Sequence, residues 1–195
     1  LKFLVRFMLE NGAALLSVNK AYNVFKSQGR AISKDSLYAF VDHIQDAFLA
    51  FTVELFSPSR NVRAANPKKV YAVDQGLLTA FSWRFSRNEG ALLENAVYCE
   101  LRRNGFQISY YRTRSGKEVD FCCLDRQGRP FLYQVSTDIS DEKTALRERA
   151  ALWEAMDEVA IDEAVLVTLH EEGEEDREGS TIRTVPAWKW FLGLA

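Results

Sequence analysis

The chain has 195 residues, of which 47% are hydrophobic, and its formal net charge is −2. This apolar content is enough to bury the core of one large or two small domains. Residues 1–80 carry ten Lys and Arg against six Asp and Glu, whereas residues 81–195 carry fifteen against twenty-one. Neither part has the strong basic excess of a dedicated phosphate-backbone binder, so the composition does not indicate that class.

Cysteine and histidine usage argues against a disulfide framework or a zinc site. Cys122 and Cys123 are adjacent on a predicted strand and therefore point to opposite faces, and Cys99 makes the number odd. His43 and His170 are the only histidines, and they are far apart in sequence. We therefore expect reduced thiols in the core of a cytoplasmic protein.

Two further classes of site lack their sequence signals. No apolar run approaches the roughly 18–20 residues that span a bilayer, so we expect no membrane partner. Neither G-x-x-x-x-G-K-[ST] nor G-x-G-x-x-G occurs, so we predict no nucleotide cofactor in this segment.

The first 80 residues carry the pattern of a small helical module. Apolar spacing predicts helices over 1–11, over 18–28 behind Ser17, and from Ser33 to about residue 47. Strands are predicted at 50–56 and 69–73. This order is that of a winged helix-turn-helix.

The third predicted helix bears on the role of that module. Its polar face includes Asp35, Asp42 and Asp46, and acidic side chains are poor partners for phosphate. We therefore favour a packing or protein-contact module over a DNA-binding module acting through the N-terminal helices. The basic residues Arg60, Arg63, Lys68 and Lys69 are interpreted as a solvated connector, with a phosphate contact as the alternative.

From Gly90 the pattern changes to an α/β alternation. It predicts a helix, three strands, a second helix and a fourth strand, at 91–104, 106–112, 118–124, 131–136, 141–158 and 163–169. The acidic run at 171–178 is expected to be solvated between elements, and Pro186 is expected to start a last helix. We place the domain boundary between residues 80 and 81.

A group of carboxylates on this α/β segment is the candidate for chemistry. Glu118 and Asp120 are two residues apart on one strand and share a face, and Gln134 and Ser136 share a face of the next strand. If the helix that carries Glu94 packs over these strands, Glu94 and Asp120 can meet. Clustered carboxylates are what a metal-dependent phosphodiesterase needs in order to hold a hard cation.

Four segments together resemble a known family. They are Asn66–Leu78 (NPKKVYAVDQGLL), Gly90–Leu101 (GALLENAVYCEL), Tyr111–Phe121 (YRTRSGKEVDF) and Tyr133–Ser136 (YQVS). The chain resembles the C-terminal domain of unknown function of prokaryotic, archaeal-type AAA+ ATPases, which is similar to the PD-(D/E)XK nuclease-like superfamily.

The resemblance implies a fold and a larger protein. We expect a restriction-endonuclease-like α/β core, a mixed sheet flanked by helices, over 81–195, preceded by a winged-helix-like module over 1–80. It also implies an ATPase domain upstream of Leu1, which would bind the ATP. The chain begins inside an apolar pattern without an initiator Met, as expected for a piece of a larger protein.

The superfamily pattern, as it maps here, is broken. The helical Glu corresponds to Glu94 and the strand Asp to Asp120, but the Glu-x-Lys of the next strand is replaced by Gln134 and Ser136. A neutral amide replaces a metal-binding carboxylate, and a hydroxyl cannot supply the ammonium. We therefore expect a degenerate, inactive site.

Alternatives remain open at this site. Glu94 and Asp120 could still bind Mg²⁺ in a nuclease if Lys117 or Lys143 replaced the missing lysine. A buried hydrogen-bonded network of Glu94, Asp120 and Gln134 is the structural interpretation.

The remaining expectations concern partners. Arg112 and Arg114, together with Lys117, are the side chains that would contact nucleic acid in the cleft. The preferred function is a non-catalytic accessory or interaction domain of the AAA+ ATPase. Its partners would be the upstream ATPase domain of the same polypeptide and a further protein or DNA.

Overall fold

The computed structural model describes residues 1–81 and 88–194. Within these ranges the chain forms eight helices and nine strands. Its contacts divide it into two compact units, Leu1–Ala96 and Val97–Ala195. The predicted boundary between residues 80 and 81 stays a prediction, and residues 82–87, which follow it, lie outside the described residues.

The first unit contains five helices and three strands, and the start of a sixth helix. In chain order they are α1 Lys2–Leu9, β1 Leu15–Leu16, α2 Val18–Ser27, α3 Lys34–Asp46, β2 Ala50–Val53, α4 Arg60–Ala65, β3 Lys68–Ala72, α5 Gln75–Phe81 and the start of α6 Glu89–Arg103. The boundary between the two units falls inside α6.

The first unit is a helical module with a small antiparallel sheet, as predicted. Strand β3 lies between β1 and β2 and pairs antiparallel with both. Apolar stripes of the helices pack into one core, with Leu4, Met8, Leu37 and Ile44 buried. Ser33 caps α3 by accepting a hydrogen bond from the Ser36 N–H at 3.0 Å. The element order and the sheet are winged-helix-like.

The connection between β2 and β3 differs from the prediction. Helix α4 occupies part of it, with Ser59 as the capping residue. Lys69, interpreted as part of a solvated connector, is 2% exposed in β3, so that interpretation was wrong for Lys69. A lysine can be buried only when its charge is paired, and its partner lies outside the connector.

The second unit contains the end of α6 and a six-stranded mixed sheet. Its elements are β4 Gln107–Arg112, β5 Glu118–Leu124, β6 Pro130–Val135, α7 Glu142–Val159, β7 Glu163–Thr168, β8 Gly173–Arg177, β9 Ser180–Pro186 and α8 Ala187–Phe191. The strand order is β4-β5-β6-β7-β9-β8. Strands β6, β7 and β9 are parallel, whereas β4, β5 and β8 run antiparallel to their neighbours.

Helices α7 and α8 pack on this sheet, and the predicted fold class, a mixed α/β sheet flanked by helices, is confirmed. Strand β5, which lies between β4 and β6, is buried through residues 119–123. Cys122 and Cys123 are both free thiols in the core, and burial raises the pKa of Cys122 to about 12. In the part of the chain that the structure describes, no helix is long and apolar enough to cross a membrane.

The acidic run near the end of the chain forms a strand, and the prediction of a stretch between elements was wrong. Strand β8 pairs with β9 through a two-residue turn whose residues, Glu178 and Gly179, have φ of 54° and 91°. Two positive φ values in a two-residue loop match the right-handed twist of a hairpin. The strand is nonetheless exposed, because its side chains are charged and it forms the edge of the sheet.

Helix α7 buries one stripe of its surface, and that stripe includes a charged residue. Leu146 is 60% exposed, whereas Glu148 is 8% exposed. The buried stripe runs through Ala145, Glu148, Leu152 and Met156. A carboxylate therefore occupies a core position of this helix.

Candidate functional site

The candidate site lies in the second unit, where the β5–β6 ladder ends. Backbone pairing stops at Phe121 and Tyr133. Beyond it, the Asp120 N–H donates to Gln134 Oε1 at 3.0 Å, and the Val135 N–H donates to Asp120 Oδ2 at 3.0 Å. Two side chains thus replace the backbone ladder and satisfy the N–H groups that it leaves open.

Glu148 of α7 completes this network. Gln134 Nε2 donates to Glu148 Oε2 at 2.6 Å. On its other oxygen, Glu148 Oε1 accepts from Arg147 Nε at 3.1 Å, and this contact raises the pKa of Arg147. Asp120, Gln134 and Glu148 are 8%, 6% and 8% exposed, so the amide joins the backbone of Asp120 to a shielded carboxylate, that of Glu148.

The network determines what Gln134 can offer to a ligand. Its amide oxygen already accepts one hydrogen bond and its amide nitrogen donates another. The side chain therefore connects strand β6 to strand β5 and to helix α7. Buried groups that are hydrogen-bonded across separate elements in this way make a core rigid.

Ser136, the second position at which the sequence predicts a broken motif, lies at the end of β6. Its hydroxyl donates to the Asp138 carbonyl oxygen at 3.0 Å, and its N–H donates to the Val167 carbonyl oxygen at 3.0 Å. Both bonds hold the local backbone. Lys143, one candidate for the missing lysine, is exposed in the first turn of α7.

Glu94 belongs to the first unit, and its described contacts are there. Its Oε1 accepts from Lys69 Nζ at 3.0 Å and from the Tyr71 hydroxyl at 2.6 Å. The neighbouring Asn95 side chain accepts from the Ala72 N–H and donates to the Ala72 carbonyl oxygen. The start of α6 is therefore fixed to β3 by an ion pair and by hydrogen bonds.

The predicted nucleic-acid loop is held by acidic residues of α7. Glu154 pairs with the Lys117 ammonium and accepts from the Ser115 N–H at 2.9 Å. Glu158 accepts from the Arg114 N–H at 2.9 Å. The Lys117 contact, followed by those of Ser115, lowers the pKa of Glu154 to about 2. Lys117 therefore has a carboxylate partner within its own unit.

The two arginines of this loop differ. The Arg112 guanidinium lies 3.9 Å from Glu118 Oε2, at the limit of an ion pair, and both side chains are partly exposed. The Arg114 side chain is exposed. Among the described residues, no group of three or more His, Cys, Asp or Glu is arranged to hold a metal ion.

Sequence reasoning named Asp120, Gln134, Ser136 and Glu94, but it missed Glu148. One signal was available, since Glu148 falls on the apolar stripe of α7 three residues after Ala145. A charged residue on the buried face of a helix needs a partner. The sequence could not identify Gln134 as that partner.

Comparison with known proteins gives one family and two relatives. A family model described as a domain of unknown function (DUF4143) matches residues 89–190. An uncharacterized protein of Methanocaldococcus jannaschii is 31% identical over 98% of this chain and 44% of its own length. An uncharacterized protein of Haemophilus influenzae is 27% identical over 72% of this chain and 35% of its own length.

The chain therefore spans less than half the length of either relative. No solved structure matches it.

Proposed function

The chain belongs to the DUF4143 family, and on this premise we propose that it is a non-catalytic interaction domain from the C-terminal part of an AAA+ ATPase, with a degenerate nuclease-like site. Two observations support the proposal: the order of elements and the hydrogen-bond network around Gln134.

The order of elements in the family segment agrees with a nuclease-like ancestry. Helix α6 is followed by the antiparallel strands β4, β5 and β6, by helix α7, and by β7 parallel to β6. Asp120 on β5 and Gln134 on β6 are joined by a hydrogen bond. The broken superfamily pattern requires that Asp120 and Gln134 lie on adjacent strands, and the order of elements meets this requirement.

The hydrogen bond between Gln134 and Glu148 is the observation that carries the non-catalytic interpretation. A carboxylate at position 134 would face Glu148 at the distance that now joins amide nitrogen to carboxylate oxygen, 2.6 Å. Two carboxylates that close need a proton or a cation between them. The amide donates instead, so the cluster is satisfied without a metal ion.

The first test is metal binding and cleavage by the chain itself. Calorimetric titration with Mg²⁺ or Mn²⁺ should show no specific binding, and plasmid DNA should stay intact with either ion. Cleavage that depends on metal and disappears in Asp120→Ala would instead establish a nuclease using Glu94 and Asp120. Circular dichroism of the variant must show that its fold is retained.

A gain-of-binding variant tests the ancestry of the site. Gln134→Glu would add a third carboxylate between Asp120 and Glu148, which hard cations prefer. We expect Mn²⁺ to raise the melting temperature of this variant but not that of the unmodified chain. Gln127→Glu, in the exposed turn between β5 and β6, adds the same charge elsewhere and should show no metal response.

If the Gln134→Glu variant folds but its melting temperature does not change with Mn²⁺, the proposal of a degenerate metal site is contradicted. The association with an ATPase has its own test, since the longer polypeptide should hydrolyse ATP whereas residues 1–195 alone should not. ATP hydrolysis absent from the longer polypeptide would remove that part of the proposal.

A further inference from the structure

The N-terminal module contains two adjoining cavities that the proposed function does not use. One, of about 160 Å³, lies among the start of α2, the exposed side of α3 and the connection from α4 to β3. The other, of about 310 Å³, is lined by Tyr38, Glu54, Arg60, Arg63, Ala64 and Lys68. Tyr38, Ala64 and Lys68 line both cavities, which therefore form one groove, here called the α3–α4 groove.

One end of the α3–α4 groove is cationic. Glu54 pairs with Lys68 at 2.8 Å and with Arg63 at 3.4 Å, so one carboxylate faces two cations. The Arg63 guanidinium also donates to the Ser57 carbonyl oxygen at 2.5 Å, which fixes its position. In the part of the chain that the structure describes, no carboxylate is paired with Arg60. This end therefore carries an excess of positive charge, and two of its three cations, Arg63 and Lys68, are already held in place.

The rest of the groove offers an aromatic surface and one acid. Tyr38 is 48% exposed and lies where the two cavities join. Asp42, one turn further along α3, lines the first cavity and is exposed. The wall beyond it is rigid, because Gln45 Oε1 accepts from both the N–H and the hydroxyl of Thr52 at 2.9 Å. The groove is thus preformed, with opposite charges at its two ends.

We propose that the α3–α4 groove binds an extended acidic segment of a partner protein. A carboxylate of the partner pairs with Arg60 and Lys68, and an adjacent apolar side chain packs on Tyr38. The proposal goes beyond the proposed function, because it names a surface and a class of partner, and it holds whether or not the second unit binds metal.

Charge distribution favours a peptide over a nucleic acid. Asp35, Asp42 and Asp46 are all exposed on α3, and they would repel successive phosphates along a strand. A peptide can place a single carboxylate at the cationic end and neutral or basic groups near Asp42. The groove therefore matches a short acidic segment better than a polyanion.

The experiment starts from a library of random twelve-residue peptides displayed on phage and selected on the full 195-residue chain. The enriched sequences should contain Asp or Glu beside an apolar residue. Fluorescence polarisation then measures the affinity of the synthetic consensus peptide. Arg60→Glu should weaken binding by about tenfold or more, and Tyr38→Ala should weaken it by a similar factor.

A matched control variant distinguishes an effect at the groove from a general effect of net charge on peptide binding. Lys20→Glu makes the same change of charge on exposed α2, outside the α3–α4 groove, and should leave the peptide affinity unchanged. An enriched consensus without an acid, or equal weakening by Lys20→Glu and Arg60→Glu, overturns the proposal. A single-stranded twelve-nucleotide probe that binds, and is released by Arg60→Glu, would assign the groove to nucleic acid instead.

Discussion

At the scale of single residues, Gln134 shows how one neutral side chain can link three elements of a fold. Its amide donates to a carboxylate where a second carboxylate would need a cation, and it also accepts the N–H that the β5–β6 ladder leaves open. Through these two hydrogen bonds the side chain joins two strands and a helix.

Removing this amide should destabilise the fold. Gln134→Leu removes the acceptor of the Asp120 N–H and the donor to Glu148 Oε2, and each buried hydrogen bond lost in this way costs about 1–3 kcal/mol. We expect a loss of about 2–5 kcal/mol in the free energy of unfolding, measured by urea denaturation. Gln127→Leu makes the same chemical change at an exposed turn and should stay within about 0.5 kcal/mol. Equal losses in both variants would contradict the role given to the network.

At the scale of secondary-structure elements, two connections at the edges of the second unit's sheet each depend on a few residues. They are the hairpin between β8 and β9 and the loop between β4 and β5. The hairpin that joins β8 to β9 is closed by Glu178 and Gly179, both at positive φ. The loop between β4 and β5 is held instead by carboxylates of α7. Neither feature has a hydrophobic pattern, so neither can be recognised by periodicity.

The geometry of the β8–β9 hairpin predicts that the fold is sensitive to substitution of Gly179. Gly179 has φ of 91°, so Gly179→Ala should cost about 1 kcal/mol or more through backbone strain. Gly173, at the start of the same strand β8, has no positive φ, and the space that a methyl group would occupy there is open, so Gly173→Ala should be nearly neutral. Urea denaturation of both variants measures the difference. A Gly179→Ala variant as stable as the unmodified chain would mean that the turn can relax.

The contacts of the loop between β4 and β5 predict that the stability contributed by Glu154 depends on pH. The pKa of Glu154 is lowered from 4.5 to about 2, first by Lys117 and then by Ser115. A lowered folded-state pKa contributes stability that is fully present above the unfolded value and is lost as the pH falls through the folded value. The difference in unfolding free energy between the unmodified chain and Glu154→Gln should therefore be constant above about pH 5 and shrink toward pH 2.

Glu142→Gln provides the control on the same helix, because Glu142 is exposed in the first turn of α7. The difference in unfolding free energy between Glu142→Gln and the unmodified chain should stay small throughout the same pH range. If Glu154→Gln showed no such pH dependence, the contacts with Lys117 and Ser115 would not persist in solution.

At the scale of the whole molecule, charge limits the partners of the chain. Net charge is −2, and the exposed face of α3 carries three aspartates. Favourable binding to duplex DNA requires many phosphate contacts from Lys and Arg, and these make the affinity fall steeply with salt. We expect filter binding to retain no duplex DNA even at low salt. Retention that weakens steeply as salt increases would support the DNA-binding alternative.

Periodicity alone predicted most elements of the fold. The three N-terminal helices, the strands β4 to β7 and helix α7 form where apolar spacing and capping residues predicted them. Helix α4 and strand β8 were not predicted, because their short or charged segments give no apolar stripe to detect. Strand β9 was also missed, although its β-branched residues Ile182, Thr184 and Val185 are buried and typical of a strand.

The sequence by itself determined the fold class and the pairing of Asp120 and Gln134 on neighbouring strands, since both depend only on residue types and their spacing. Tertiary structure alone decided the partners. It brought Glu148 to Gln134 from another element, and it buried Lys69 against Glu94, 25 residues away in sequence. Such pairings arise when separate elements pack together, and no local pattern records them.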